Sequence, residues 1–151
     1  YGPWGRPDMA LFLFTKNILE GRSIDVYNNG NSKRDFTFID DVVNIVIRFI
    51  NYNLNQDDGF DFFQPDPSSS FAPHRIFNLG SSSPIKLMDF IGYLEKYLEV
   101  TSIKKYLPLQ KGDAISTHAD TSRLIKAVGK YKMTNFSIGI KKFVEWFKEY
   151  Y

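Results

Sequence analysis

Apolar residues recur at helical spacing in two stretches: Leu87, Phe90, Ile91, Leu94 and Leu98, then Ile140, Phe143, Val144 and Phe147. Residues three and four positions apart share one face of an α-helix, so each stretch predicts a helix with one side buried. Runs of another kind stand between and before them. Ile24 to Tyr27 sets Ile and Val out of phase with Asp and Tyr, and Arg75 to Leu79 and Lys104 to Leu107 are further strand candidates. Mixed helices and strands without an internal repeat predict a layered α/β fold, α+β if the chain is taken alone. With 151 residues there is one core's worth of chain and no second domain.

Turn residues divide the rest. Asp8 stands at an N-cap position before a helix from Met9 to Glu20, which Gly21 ends. Asn28 to Asn31 stops the first strand, and Arg34 to Ile39 continues extended. Asp40 and Asp41 cap a helix from Val42 to about Tyr52, so apolar on every side that it is expected to be buried. Residues 53–74, rich in Asp, Pro and Ser, read as a mobile surface loop. Asp120 to Val128 is a short helix stopped by Gly129, and Ser137 is placed to cap the last one.

Composition removes several classes of function. There are no cysteines, which excludes disulfides and thiolate chemistry and favours a reducing cytoplasm. The net charge of +2 carries no clustered basic stripe, so nucleic acid is not an expected partner. No apolar run approaches the ~20 residues of a membrane span. The chain opens on Tyr1 without an initiator Met and reads as beginning within a longer protein.

The two histidines, His74 and His118, lack the spacing of a metal pair or a nucleophile's base, so no metal is expected. Gly80-Ser81-Ser82-Ser83 has neither a G-x-G-x-x-G pattern nor a Walker-type lysine, and reads as a strand-to-helix turn. Three charged residues hold more interest. Arg6 sits in a Gly-Arg-Pro-Asp turn before a helix N-terminus, where it either receives an anion or pairs with Asp8. Arg34, at the mouth of a strand, either grips a phosphate or pairs with Asp35. Asp113, after Gly112, either accepts hydroxyls, orients an arginine or closes an Asx-turn.

Four segments resemble the extended short-chain dehydrogenase/reductases, also called the NAD-dependent epimerase/dehydratase family, and within it the UDP-glucuronate 4-epimerases. Tyr1-Gly2-Pro3-Trp4-Gly5-Arg6-Pro7-Asp8-Met9-Ala10 is similar to Y-G-P-x-x-R-P-D-M-A. Arg34 to Asp41 resembles R-D-[FY]-x-x-[VI]-x-D, and Phe77-Asn78-Leu79-Gly80 resembles Y-N-[IL]-G. Gly112-Asp113 with Ala119-Asp120-Thr121-Ser122 resembles G-D…A-D-[TA]-S. Each is weak alone; four in order over nearly the whole chain are specific.

The resemblance implies the carboxyl-terminal, nucleotide-sugar-binding portion of such an enzyme, with the last elements of a Rossmann sheet. The NAD site, the Tyr-x-x-x-Lys catalytic pair and the helices of a homodimer would belong to an amino-terminal half. Tyr93-Leu94-Glu95-Lys96 has the wrong spacing for that pair, so this portion is expected to be inactive alone, with no catalytic or cofactor-binding residue. The whole enzyme would oxidise C4 of a UDP-sugar, let the ring turn and reduce it from the other face. Arg6 would meet a uronate carboxylate, and Asp25 and Tyr27 would lie along the uracil. Arg34 would hold the diphosphate, and Asp113 the ribose hydroxyls. Where relatives acting on neutral hexoses carry an arginine, Gln110 stands here, with Lys111 beside it as a substitute charge. A related UDP-sugar epimerase, decarboxylase or dehydratase, or a free-standing binding module, are the alternatives.

Overall fold

In the computed structural model, which describes residues 1–151, strand β1 (Ser23–Val26) pairs in parallel with β4 (Ile103–Tyr106), Ser23 opposite Ile103 and Val26 opposite Tyr106. Both lie within a residue of where the sequence puts them. Ile24 and Val26 point into the core and are fully buried, while Ser23 and Asp25 face outward. This is the period-two alternation of a strand covered on one side. A second, short ladder joins β2 (Lys33–Arg34) to β3 (Ile85–Lys86) antiparallel. The extended stretch expected over Arg34 to Ile39 thus enters a ladder only at its start.

Helices α1 (Ala10–Leu19), α3 (Leu87–Leu98) and α5 (Phe136–Tyr150) pack around Ile24 and Val26 to form one core. The helical stripes predicted for α3 and α5 are its centre: Phe90, Ile91, Leu94, Ile140, Phe143 and Val144 are buried almost completely. Aromatic rings knit the helices together, Phe12 of α1 meeting Phe143 and Phe147 of α5 edge-on at 5.2 and 5.5 Å. Two shorter helices, α2 (Ile39–Phe49) and α4 (Ser122–Val128), lie outside this core.

The helix ends differ from expectation in instructive ways. Met9, not Asp8, occupies the cap of α1, and its side chain makes no cap bond. Asp8 pairs instead with Arg6 at 3.4 Å. At α5 the cap is Asn135, whose side chain accepts from the Ser137 amide, and the Ser137 hydroxyl bonds that of Tyr97 at 2.6 Å. Asp40 and Asp41 are the second and third residues of α2 rather than its cap, and their charge there suits the helix dipole. Asp41 is buried and accepts from both the amide and the hydroxyl of Thr134 at 2.8 Å. Gly21 and Gly129, both at positive φ, do end their helices.

Two larger departures share one cause. Helix α2 is not buried all round: only Asp41 and Ile45 are enclosed, while Val43, Val46, Ile47 and Ile50 stand exposed. Arg75 to Leu79 does not form a strand, apart from an isolated bridge between Arg75 and Ser69. A strand needs a neighbour for its amides and carbonyls, and an apolar helix face needs a surface to lie on. Residues 1–151 supply neither there. The two features adjoin, Phe77 packing on Phe49 at 5.1 Å.

Residues 53–74 contain no regular element but fold back on themselves. The Asp57 amide donates to the Ser70 carbonyl, Arg75 pairs with Asp57 at 3.2 Å, and Arg123 of α4 pairs with Asp66 at 2.8 Å. The rings of Phe60, Phe62 and Phe71 gather within 6.0 Å of one another. No helix is long and apolar enough to cross a membrane.

Leu94→Ala should lower the unfolding free energy by about 2–5 kcal/mol in chemical denaturation, because it empties a closed site. Val46→Asp should change it by less than about 0.5 kcal/mol. A loss of several kcal/mol at Val46 would mean that α2 is buried after all.

Candidate functional site

Strands β1 and β4 run the same way, so the chain leaves both on one side. After β1 it turns through Tyr27–Gly30, with Asn28 and Asn29 in the left-handed region and Gly30 at φ +82°. Asn and Gly tolerate that conformation better than other residues. The two exits are joined by backbone bonds: the Leu107 amide donates to the Val26 carbonyl, and the Asn29 amide to that of Leu107, both at 3.0 Å.

Beyond Leu107 the chain makes a turn from Gln110 to Asp113, closed by the Asp113 amide on the Gln110 carbonyl at 3.1 Å, with Gly112 at φ +83°. It then runs alongside β2. The Lys33 amide donates to the Ile115 carbonyl at 2.9 Å, and the Thr117 amide returns to the Lys33 carbonyl at 3.3 Å. Arg34 is thereby brought to Asp113, its Nη2 lying 2.6 Å from Oδ1. Its Nη1 donates to the carbonyls of Lys33 and Ile115 at 2.9 and 3.3 Å. Of the readings open in the sequence, Asp113 orients an arginine, and Arg34 does not pair with Asp35. Side-chain exposures of 29% and 39% keep the pair within reach of solvent and of a ligand. In isolation such a pair contributes about 1 kcal/mol or less.

Asp25 faces Lys105 across the β1–β4 ladder, its Oδ1 4.0 Å from Nζ. Tyr27 follows directly and is partly exposed. Asp25, Tyr27, Arg34, Gln110 and Asp113 therefore belong to one end of the two ladders and the loop that joins them. Arg6 is bonded elsewhere: besides its ion pair with Asp8, it donates through Nη2 to the Met9 sulfur at 3.2 Å. The paired reading of Arg6 is the one this structure displays. Tyr1, in the same segment, is structural. Its ring packs among Phe36, Phe38 and Phe136, and burial, then the charge of Asp41, raises its phenol above the ordinary tyrosine value.

The residue that sequence reasoning missed is Asp35. Its Oδ1 accepts from the Ser81 hydroxyl and, at 3.3 Å, the Ser83 amide. Its Oδ2 accepts from the Ser82 and Ala119 amides at 3.1 and 3.0 Å. Partial burial pushes this carboxyl up, but the bonds from Ser81 and the Ala119, Ser83 and Ser82 amides outweigh it and hold it below the usual carboxylate range. Gly80 permits the close approach, since a Cβ there would meet Ala119 and lie 2.9 Å from the Asp35 carboxylate. A run of three serines behind a glycine was the available signal. It is donor-rich and needs an acceptor, and the sequence gives no hint that the acceptor is 46 residues earlier.

Known proteins resemble this chain in both sequence and fold. The sequence profile of the NAD dependent epimerase/dehydratase family matches residues 1–62 of the chain. Protein CapI of Staphylococcus aureus is 43% identical over the whole chain, which covers 45% of that protein. UDP-glucuronate 4-epimerase 4 of Arabidopsis thaliana is 39% identical, again over the whole chain and 34% of that protein. The chain thus spans less than half the length of these curated relatives. UDP-glucuronic acid 4-epimerase from Bacillus cereus, solved in complex with UDP-glucuronic acid and NAD, superposes with a TM-score of 0.79 over 100% of this chain and 43% of its own. At 24% identity that likeness establishes the fold, the α/β class expected from the sequence.

A carboxylate held below its ordinary value stabilises the fold above that value, and the contribution is lost as pH falls through the folded-state pKa. Asp35 and Glu95, the latter bound by Ser102 and Lys104, both fall in this class. Melting temperatures should therefore fall below about pH 4.5, and the fall should be shallower in Asp35→Asn. Parallel melting profiles for the two proteins would contradict the assignment.

Proposed function

We propose that residues 1–151 form the nucleotide-sugar-binding portion of an NAD-dependent UDP-sugar 4-epimerase acting on UDP-glucuronate. The observation that carries this reading is the Arg34–Asp113 pair, which joins β2 to the segment that follows β4. A guanidinium fork is suited to a diphosphate, a carboxylate to ribose hydroxyls, and an exposed aromatic ring such as Tyr27 to a pyrimidine. Support comes also from the relatives named as UDP-glucuronate 4-epimerases.

The residues of this chain do not suit NAD. The glycine-led turn Gly80 to Pro84, which enters β3 and not a helix, directs the Ser82 and Ser83 amides to the Asp35 carboxylate rather than outward to a phosphate. In the complete enzyme NAD would supply the redox chemistry from another part of the protein. This chain's work is binding: Arg34 and Asp113 hold the nucleotide, and Arg6 swings from Asp8 to a uronate carboxylate. The exposed apolar face of α2 and the Arg75–Leu79 segment, bridged only at its start to Ser68 and Ser69, are suited to receive the NAD-binding half, whose sheet would gain a strand there.

Calorimetric titration of the chain with UDP should show weak binding, and Arg34→Ala should weaken it about ten-fold, the loss of a charge-assisted hydrogen bond. NAD should produce no heat of binding and UDP-glucuronate no turnover. Tight NAD binding by this chain would contradict the division of labour. For Arg6, the expectation is a lost preference: Arg6→Ala should bind UDP-glucuronate no better than UDP-glucose. A preference that survives the substitution would remove Arg6 from the site.

A further inference from the structure

Asp35 ties together three segments distant in sequence. Four bonds to its carboxylate come from Ser81, Ser82, Ser83 and Ala119, and its own amide donates to the Thr117 hydroxyl at 3.1 Å. Ser82 reinforces the junction, its hydroxyl donating to the Ala119 carbonyl at 2.9 Å. Residues 115–119 are thus bonded along residues 33–35, by the backbone at Ile115 and Thr117 and by Asp35 at Thr117 and Ala119. The start of this run is two residues past Asp113.

We infer that Asp35 is the positioning residue of the nucleotide clamp: by fixing residues 117–119 against β2, it sets the register in which Asp113 meets Arg34. The inference rests on the proposed nucleotide reading for its functional consequence, though not for its geometry. Asp35 itself points away from the clamp, toward the Gly80 turn, and touches no ligand. An arginine as exposed as Arg34 has many rotamers open to it. What selects one is the carboxylate and the two carbonyls around it, and two of those three acceptors, Asp113 and Ile115, lie on the segment that Asp35 anchors. The chemistry requires a carboxylate. An asparagine of the same shape offers one acceptor oxygen and turns an N–H₂ toward two of the four donors.

The test is a double-mutant cycle on UDP affinity in the chain, with Asp35→Asn, Arg34→Ala and both together, accompanied by amide hydrogen exchange without ligand. Asp35→Asn should weaken UDP binding about ten-fold alone and less than about two-fold when Arg34 is already alanine, since the positioned group is gone. Exchange at the Asp113 and Thr117 amides, neither of which bonds Asp35 directly, should quicken about ten-fold or more. An equal loss of UDP affinity in both backgrounds would overturn the inference, because a merely structural role moves both alike. Unchanged exchange at Asp113 and Thr117 would overturn it too. If the unsubstituted chain binds no UDP while exchange quickens as stated, the nucleotide reading fails and the positioning of Asp113 stands. Should Asp35→Asn not fold, Ser81→Ala removes a single donor and should shift exchange in the same direction; no shift there would count against the role.

Discussion

The parallel ladder between β1 and β4 is the constraint on which the rest depends. A parallel pair cannot be closed by a hairpin, so the chain must cross over between the strands. Here the crossover contains β2, α2, the irregular segment 53–74, β3 and α3. The pairing buries Ile24 and Val26 against three helices and sends both strand exits to the same side. Tyr27 and the loop carrying Gln110 and Asp113 consequently share a neighbourhood, though about 80 residues of sequence separate them. The bonds of Leu107 with Val26 and Asn29 then lock that neighbourhood from below.

Against this well-packed side stands an unsatisfied one. Four apolar side chains along α2 face solvent, and Arg75 to Leu79 has strand composition without a strand partner. Apolar patches of this kind mark surfaces that meet another protein surface. The chain spans less than half the length of its relatives, and under the proposed function the part they have in addition would cover this patch. On that reading, binding and redox chemistry would be divided between two structural units.

Much of this was legible in the sequence, and the exceptions have a common pattern. The stripes on α3 and α5, the strands β1 and β4 and the glycine stops at 21 and 129 follow from local periodicity and backbone freedom. Arg34 and Asp113 were identified as site residues separately, and family resemblance suggested that they belong together. Caps are less readable, because Asp8 and Ser137 each have a better-placed neighbour, Met9 and Asn135, that only the fold reveals. The burial of α2 was misjudged because apolar composition reports what a helix would bury, not whether a surface is present. Asp35 is visible in the sequence only as a possible partner of Arg34, since its true partners, at 81–83 and 119, carry no pattern linking them to it.

The central claim is that the end of the β1–β4 ladder, and not another surface, receives the nucleotide. Titrating isotope-labelled chain with UDP and following amide and arginine side-chain chemical shifts tests it directly. The account predicts that the perturbations centre on Tyr27, Arg34 and the 110–113 turn, with the α1–α5 packing unmoved. Shifts centred instead on the apolar groove formed by Phe12, Leu13 and Phe147, or no site-specific shifts at all, would contradict it.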